Sequence, residues 1–441
     1  MKELGIKNII TGIFIIAAIL AFFIFSGVIK IGTVDQSEVG NIVIWGDLSQ
    51  QTLQPYIDNI KTQKLNIVYS QKNTDVYEDE LVNAFAAGRG PDLFIMPYER
   101  ILRHSDKILE LPYASFPKNN YESTYVKQSH LFLTDTGVIA FPMTVDPLIM
   151  YYNKSLVASA FLLDVPEYWE DLSDFTKNLT VKNNAGEIAI SGVALGTYDN
   201  VRHAKDILST LILQSGNQIV GTDSISKKKK SIITADENAA RQTEQAVAFY
   251  ASFAQLDSPT YSWNEAVIDS QNKFIAGEVV LYFGRSSEIE SIRRKNPNLD
   301  FGVSIIPQVR GNTTKLTHGD MLGIAIGRQT GNVPAAVLTA SKMAGLDVVE
   351  GLSSDLMVAP ARRDLLRNKP EDPFKTLVYN SAIISDGWID SDSVATEEIF
   401  RTMIRSINTN ALSIIDALRR ANADINRVLN RTINMTIPDK F

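Results

Sequence analysis

Three short apolar runs, "NIVIW" (41–45), "LNIVYS" (65–70) and "LFIM" (93–96), alternate with two helix-spaced stretches. That strand–helix–strand–helix–strand order predicts a parallel sheet with helices on its faces. In such sheets ligands sit beyond the carboxyl ends of the strands. "WGD" after the first run and "PYER" after the third therefore belong to one rim. Between the second helix and the third strand stands "AFAAGRGPDLFIM" (84–96). A phosphate-cradling turn needs glycines that follow a strand and open a helix. Here the order is reversed, so this segment is helix, tight turn and buried strand. The spacing predicts a helix over 76–87 with Leu81, Ala84 and Phe85 on one face. Gly88 stands where a helix C-terminus wants a left-handed residue. Leu93–Met96 is continuously apolar, as a strand covered on both faces would be, and it stops at Pro97.

Ile9–Ile29 contains no charged residue. Twenty-one residues at 1.5 Å rise span roughly 31 Å, about the thickness of a bilayer core. Lys2 and Lys7 precede it, which favours an inside N-terminus. The alternative is a cleaved signal peptide, but no clean small-x-small cleavage site follows Phe25. An uncleaved transmembrane anchor over 9–29 is therefore expected, with residues 1–8 cytoplasmic, 30–40 a polar tether and the remainder outside the cytoplasm. The net charge of −7 argues against a nucleic-acid partner. The chain has no cysteine, which excludes disulfides, thiolate metal sites, a cysteine nucleophile and an N-terminal lipid-bearing cysteine. Its four histidines, His104, His130, His203 and His318, are far apart in sequence, which speaks against a histidine-rich metal site. No cofactor is expected.

Further along, "GVIAFPMTVDPLIMYYNKSL" (137–156) gives two extended segments interrupted by Pro142 and Pro147, with Asp146 between them. A carboxylate among apolar neighbours is costly to bury without a partner, so Asp146 either accepts from backbone amides or faces a cleft. Residues 166–300 read mostly as helix. A strand over Val279–Phe283 ends in Gly284-Arg285, and a helix follows near Ser286 or Ser287, whose hydroxyls can cap it. Arg285 could alternatively pair with Glu288. Strands are also expected in 299–308, stopped by Pro307, and in 319–327. Lys227–Lys230 reads as a solvated loop. Over 409–430 the apolar positions Leu412, Ile415, Leu418, Ile425, Val428 and Leu429 predict an amphipathic helix on the body. Trp169 and Trp263, on helical stretches, read as packing residues.

Several segments, in this order, resemble the extracellular solute-binding proteins of ABC transporters, the family that includes the maltose-binding protein. They are "NIVIWGDLS", "LVNAFAAGRGPDLFIM", "GVIAFPMTVDPLIMYYNKSL" followed by "PEYWEDL", "FIAGEVVLYFGR", "FGVSIIPQ" before "HGDMLGIAIG", and "VAPARRDLL". The resemblance implies an α/β fold of the periplasmic-binding-protein-like type II class, with two lobes joined by a hinge. One lobe would take 40–144 and 308–358, the other 149–302 and 363–437. Crossovers would fall near 145–147, 303–307 and 359–362. A solute would lie between the lobes and be handed to the transporter's membrane subunits on closure. A monomer is expected.

Position by position, the resemblance implies a ligand set. Trp45, Gly46 and Asp47 follow the first strand, and Pro97, Tyr98, Glu99 and Arg100 the third. Asp146 matches a crossover carboxylate that accepts a hydroxyl in sugar binders. Tyr198 and Asn200, then Gly284 and Arg285, match two further cleft loops. His318, Gly319 and Asp320 match a glycine-containing loop, and Trp388 a stacking aromatic. Such residues suit sugar, whose hydroxyls pair with Asp, Glu, Asn and Arg and whose ring faces lie on Trp and Tyr. Arg100 and Arg285 leave a peptide or a phosphorylated polyol as an alternative solute. A sensor role would look the same in sequence. An anchored glycoside-processing enzyme would need a carboxylate pair such as Asp47, Glu99 and Asp146 could supply. Neither a Gly-x-Ser-x-Gly elbow nor a His-Glu-x-x-His motif is present, so a binding protein and not an enzyme is expected.

Overall fold

The computed structural model describes residues 40–436 apart from 224, 225 and 227, with side chains described to Arg431. The expected anchor (9–29), the segment before it and all of the tether except Gly40 lie outside the described residues. Among the described residues no helix is long and apolar enough to cross a membrane. The elements used below are β1 (Gly40–Gly46), α1 (Gln50–Ile60), β2 (Leu65–Gln71), α2 (Tyr77–Ala86), β3 (Leu93–Pro97) and α3 (Tyr98–Arg103). They continue with β4 (Phe141–Asn153), β5 (Ile188–Val193), α4 (Ala204–Gln214), β6 (Val279–Arg285), α5 (Glu288–Lys295) and β7 (Phe301–Ile305). The last are β8 (Thr317–Ile326), α6 (Val333–Met343), α7 (Ser393–Asn408) and α8 (Ile414–Thr436).

The chain divides into two compact units. The first holds residues up to Val145 with Met321–Leu356 and Pro360–Asn368; the second holds Asp146–Asp320, Met357–Ala359 and the chain from Lys369. The chain thus leaves the second unit at Asp320, and 303–307, read from sequence as a crossover, lies inside that unit.

In the first unit β1 pairs in parallel with β2 and with β3, and β3 pairs antiparallel with β8 through Leu93–Pro97 and Leu322–Ile326. β3 therefore has a strand on each side, and all four of its apolar residues are fully buried. β2 lies at the sheet edge and alternates, with Leu65, Ile67 and Tyr69 buried and Val68 exposed. α1 starts at Ser49, whose hydroxyl accepts from Thr52 N at 3.1 Å, and buries Leu53, Ile57 and Ile60 at helical spacing. α2 buries Tyr77, Leu81 and Phe85, with Ala84 half-buried beside them. Gly88 has φ +68, the left-handed conformation expected of it. The aspartate of "GRGPD" is a clamp: Asp92 accepts from Val43 N at 2.9 Å and from Thr330 Oγ1 at 2.6 Å. It ties the entry of β3 to its neighbour strand, a structural use of the motif.

In the second unit β6 pairs antiparallel with β4 and parallel with β5, and β7 lies antiparallel on β4. After the short strand Gly137–Val138, the stretch holding both prolines is one strand of 13 residues, Phe141–Asn153, rather than two segments broken at them. Pairing with β6 begins at Leu148 and with β7 at Ile149, just past Pro147, so the missing proline N–H costs neither of these ladders a bond. The lysine run is not all loop: Lys229–Ser231 pairs with Val220–Thr222, and Lys230 Nζ reaches Asp223 at 2.6 Å. The C-terminal amphipathic helix begins at Ile414, not 409, because Asn410 at φ 54 ends α7 first. α8 then buries Ala417, Leu418, Ala421, Ile425 and Leu429. Trp169 and Trp263 are buried, as packing residues would be.

Candidate functional site

The second unit gathers an ion cluster around Arg285, the last residue of β6. Its guanidinium donates to Asp206 Oδ2 from Nε at 3.2 Å and Nη2 at 2.9 Å, and to Asp320 Oδ2 from Nη1 at 2.6 Å. Asp206 is buried in the first turn of α4. Its carboxylate also faces His203 Nδ1 at 3.5 Å and His318 Nδ1 at 3.6 Å. Burial alone would raise the Asp206 pKa, but Arg285, then His318 and His203, outweigh it and hold it well below the usual range. His203 precedes α4 with φ 60, and its Nε2 is hydrogen-bonded to Glu288. Burial would depress this imidazole, yet its bonds to Asp206 and Glu288 push its pKa up to about 9. Glu288 also accepts from Tyr282 Oη and Gln271 Nε2, both at 2.6 Å. Burial opposes its ionisation, but His203, Tyr282 and Gln271 hold its pKa down at about 2.

Asp146 resolves the choice left open by sequence. It accepts from Ser286 Oγ at 2.7 Å, Ser287 N at 3.0 Å and Ser287 Oγ at 2.6 Å, so it caps the turn into α5. Burial raises its pKa, partly offset by Arg285 and the two serines. The serines therefore donate to a cap supplied from β4 rather than acting as the cap. Gly284 is required by close approach: an added Cβ would lie 2.5 Å from Tyr282 Cε1 and 2.8 Å from Glu288 Oε2. Gly284→Ala is expected to lower stability by about 1–3 kcal/mol through displacement of the Tyr282 ring. A thermal melt checks this, and an unchanged midpoint would mean that the ring yields at no cost.

The first unit carries its own polar rim at the carboxyl ends of β1, β2 and β3. Arg100 in α3 places Nη1 3.7 Å from Asp47 Oδ2 and Nε 3.4 Å from Glu78 Oε1. Glu78 also meets Arg103 at 3.3 Å and His104 at 2.9 Å. The His104 hydrogen bond, together with the nearby positive charges, holds Glu78 below the ordinary carboxylate range. Lys72 Nζ lies 3.6 Å over the Trp45 ring and 2.9 Å from Glu80. Burial, then the charge of Asp47, raises the Tyr69 phenol, which donates to Leu48 O at 2.7 Å. An open recess beside this rim is lined by Asp47, Gln71, Lys72, Asn73 and Thr74.

The structure thus brings Arg285, His318 and Asp320 into one cluster, with Gly319 buried between the last two and Asp146 at its edge. It brings Trp45, Gly46, Asp47, Glu99 and Arg100 to the other rim. Three expected aromatic platforms are instead interior. Tyr98 is fully buried, and Tyr198 is buried beneath the Arg401 guanidinium, 5.4 Å from its ring. Trp388 stacks on Phe400 at 6.2 Å and donates to Ser209 Oγ at 3.1 Å. Large rings fill core volume more effectively than any other side chain, and here packing takes them. Asn200 is consumed by the distant segment 263–267: its amide donates to Asn264 O at 2.8 Å and Val267 O at 2.7 Å and accepts from Trp263 Nε1 at 3.2 Å. The guanidinium of Arg285 pairs with Asp206 and Asp320; toward Glu288 only its backbone N–H is directed, at 3.3 Å. Sequence reading missed Asp206, His203 and Glu78, ordinary polar residues in or beside helical stretches, and weighed Glu288 only as a partner of Arg285.

Comparison with known proteins follows the same lines. The family model described as bacterial extracellular solute-binding protein matches residues 46–344. The maltodextrin-binding protein MdxE of Bacillus subtilis is 26% identical over 136 residues, a match spanning 29% of this chain and 30% of that relative. An ABC substrate-binding protein of Listeria monocytogenes, solved in complex with cycloalternan, superposes with a TM-score of 0.67 at 16% identity. That match covers 88% of this chain and 99% of the other. A maltose/maltodextrin-binding domain of Bdellovibrio bacteriovorus, bound to maltotriose, gives 0.65 at 15% identity, covering 89% and 100%. At such identities the likeness establishes a shared mixed α/β fold, that of type II periplasmic binding proteins.

Proposed function

The chain belongs to the family of bacterial extracellular solute-binding proteins, and from that premise we propose that it binds a sugar or oligosaccharide for an ABC importer. Family membership across residues 46–344 is the observation that carries this reading. Acceptor chemistry at the two rims supports it. Asp320 is half-buried, gives Oδ2 to Arg285, and has no hydrogen bond to Oδ1 among the described residues. Asp47, also half-buried, has among the described residues only the 3.7 Å approach of Arg100 as an ion pair. Sugar hydroxyls donate to such carboxylates, and Trp45 adds a half-buried ring nearby. The bound solute is passed unaltered to permease subunits, and the apolar segment 9–29 tethers the protein to the membrane with its folded part outside.

A thermal-shift and calorimetry screen of the full-length chain against mono- and oligosaccharides, polyols and peptides tests the reading. At least one saccharide is expected to raise the melting temperature. Asp47→Ala and Asp320→Ala are each expected to weaken its binding by about 1–3 kcal/mol, the range for a lost charge-assisted hydrogen bond. Stabilisation by a peptide with every sugar silent would end the carbohydrate assignment, and glycoside turnover would end the binding class. A mature N-terminus beginning after Ser26 would replace the anchor by a cleaved leader.

A further inference from the structure

We propose that each of the two rims disfavours anionic solutes, phosphorylated and acidic sugars included, because Arg285 in one unit and Arg100 in the other each already face two carboxylates of their own unit. The inference rests on the solute-binding reading above and narrows its substrate class. An arginine is the residue that recognises phosphate or carboxylate, through its planar fork of donors. In Arg285 every nitrogen of that fork already donates once, Nε and Nη2 to Asp206 and Nη1 to Asp320. Arg100 is matched in charge rather than in hydrogen bonds: it lies between Asp47 at 3.7 Å and Glu78 at 3.4 Å, and its buried Nη1 has no hydrogen-bond partner among the described residues.

The remaining cations nearby are also matched. His203 lies between Glu288 and Asp206, Lys205 Nζ is 2.9 Å from Asp390, Arg202 is 3.5 Å from Asp269 and Lys72 is 2.9 Å from Glu80. Around Arg285 the acids Asp146, Asp206, Asp320 and Glu288 outnumber the cations Arg285 and His203. An incoming anion must therefore displace a carboxylate from the guanidinium or lie against its charge in a partly dehydrated setting. A neutral hydroxyl instead donates to the same oxygens. Specificity of this kind comes from the repulsion built against the wrong solute as much as from attraction to the right one.

The test uses the full-length wild-type chain and Asp320→Asn at constant ionic strength, with maltotriose, glucose, glucose 6-phosphate and inorganic phosphate as probes. In the wild type neither phosphate-bearing probe is expected to raise the melting temperature or give measurable heat at millimolar concentration. Asp320→Asn, which frees one face of Arg285, is expected to bind inorganic phosphate at least about tenfold more tightly than the wild type. Phosphate or glucose 6-phosphate binding to the wild type as tightly as glucose does, or at all below millimolar, overturns the proposal. So does an Asp320→Asn protein that folds and gains nothing. If no saccharide binds, the reading under Proposed function falls, and the inorganic phosphate arm still decides the charge selection. Should Asp320→Asn fail to fold, Glu78→Gln at the other arginine replaces it, with the same expected gain.

Discussion

Asp206→Ala is expected to destabilise the second unit by about 3–5 kcal/mol, the cost of removing one partner from a buried ion pair. The carboxylate is buried and serves three cationic or potentially cationic groups at once: Arg285 at 2.9 Å, His203 at 3.5 Å and His318 at 3.6 Å. Its loss leaves Arg285 with Asp320 alone and His203 with Glu288 alone, in surroundings that solvate neither well. Asp206→Asn keeps the volume and one acceptor oxygen but not the charge, so it should lose a substantial part of the same energy. Denaturant unfolding of both variants checks this. A midpoint for Asp206→Ala within about 1 kcal/mol of the wild type would mean that the cluster does not hold the unit together.

The second large effect is a loss of stability as pH rises from about 6.5 to 9, traced to His203. Its pKa in the folded protein is about 9 against 6.5 for the free group. Because the folded value is the higher, the contribution is fully present below about 6.5 and is lost as pH rises through 9. At roughly 1.4 kcal/mol per pH of displacement, it is on the order of 3 kcal/mol. Asp206 and Glu288 act at the other end. Their depressed values contribute above the ordinary carboxylate range, a contribution that fades as pH falls, for Glu288 from about 4.5 toward about 2. His318, depressed by burial, adds its own loss on the acid side of its ordinary value. Stability should therefore peak near pH 6.5, where the acid-side losses end and the alkaline loss begins. His203→Gln should flatten the alkaline slope and, because His203 also helps hold Glu288 and Asp206 down, make the acid limb shallower, as read by melts across the pH range. A wild-type midpoint constant from 6.5 to 9, or an equal slope in the variant, would remove His203 as the cause.

The type of each element was largely legible in the residues. Burial imposes its period on local sequence, so a continuous apolar run at Leu93–Met96 announced a strand with neighbours on both sides. The helix-to-glycine step at Ala87–Gly88 announced the turn before it. Errors arose where a local signal was overruled from a distance. Pro142 and Pro147 suggested breaks, but the strand runs through both, and its ladders with β6 and β7 begin beyond Pro147 and need no donor from it. Tyr98, Tyr198 and Trp388 carry the same letters whether they line a site or fill a core, and tertiary packing chose the core.

By itself, then, the chain's own pattern determined the alternation of strands and helices, the rim at which polar loops gather, and the family to which they belong. These follow from the spacing of apolar residues and from turn chemistry, both properties of neighbours in sequence. Only the tertiary structure decided which charges meet. Arg285 finds Asp206 from 79 positions away and Asp320 from 35, while His203 finds Glu288 from 85. Ion pairing in a poorly solvated interior is set by which backbones approach and how much water they exclude, and no periodicity in the sequence encodes that.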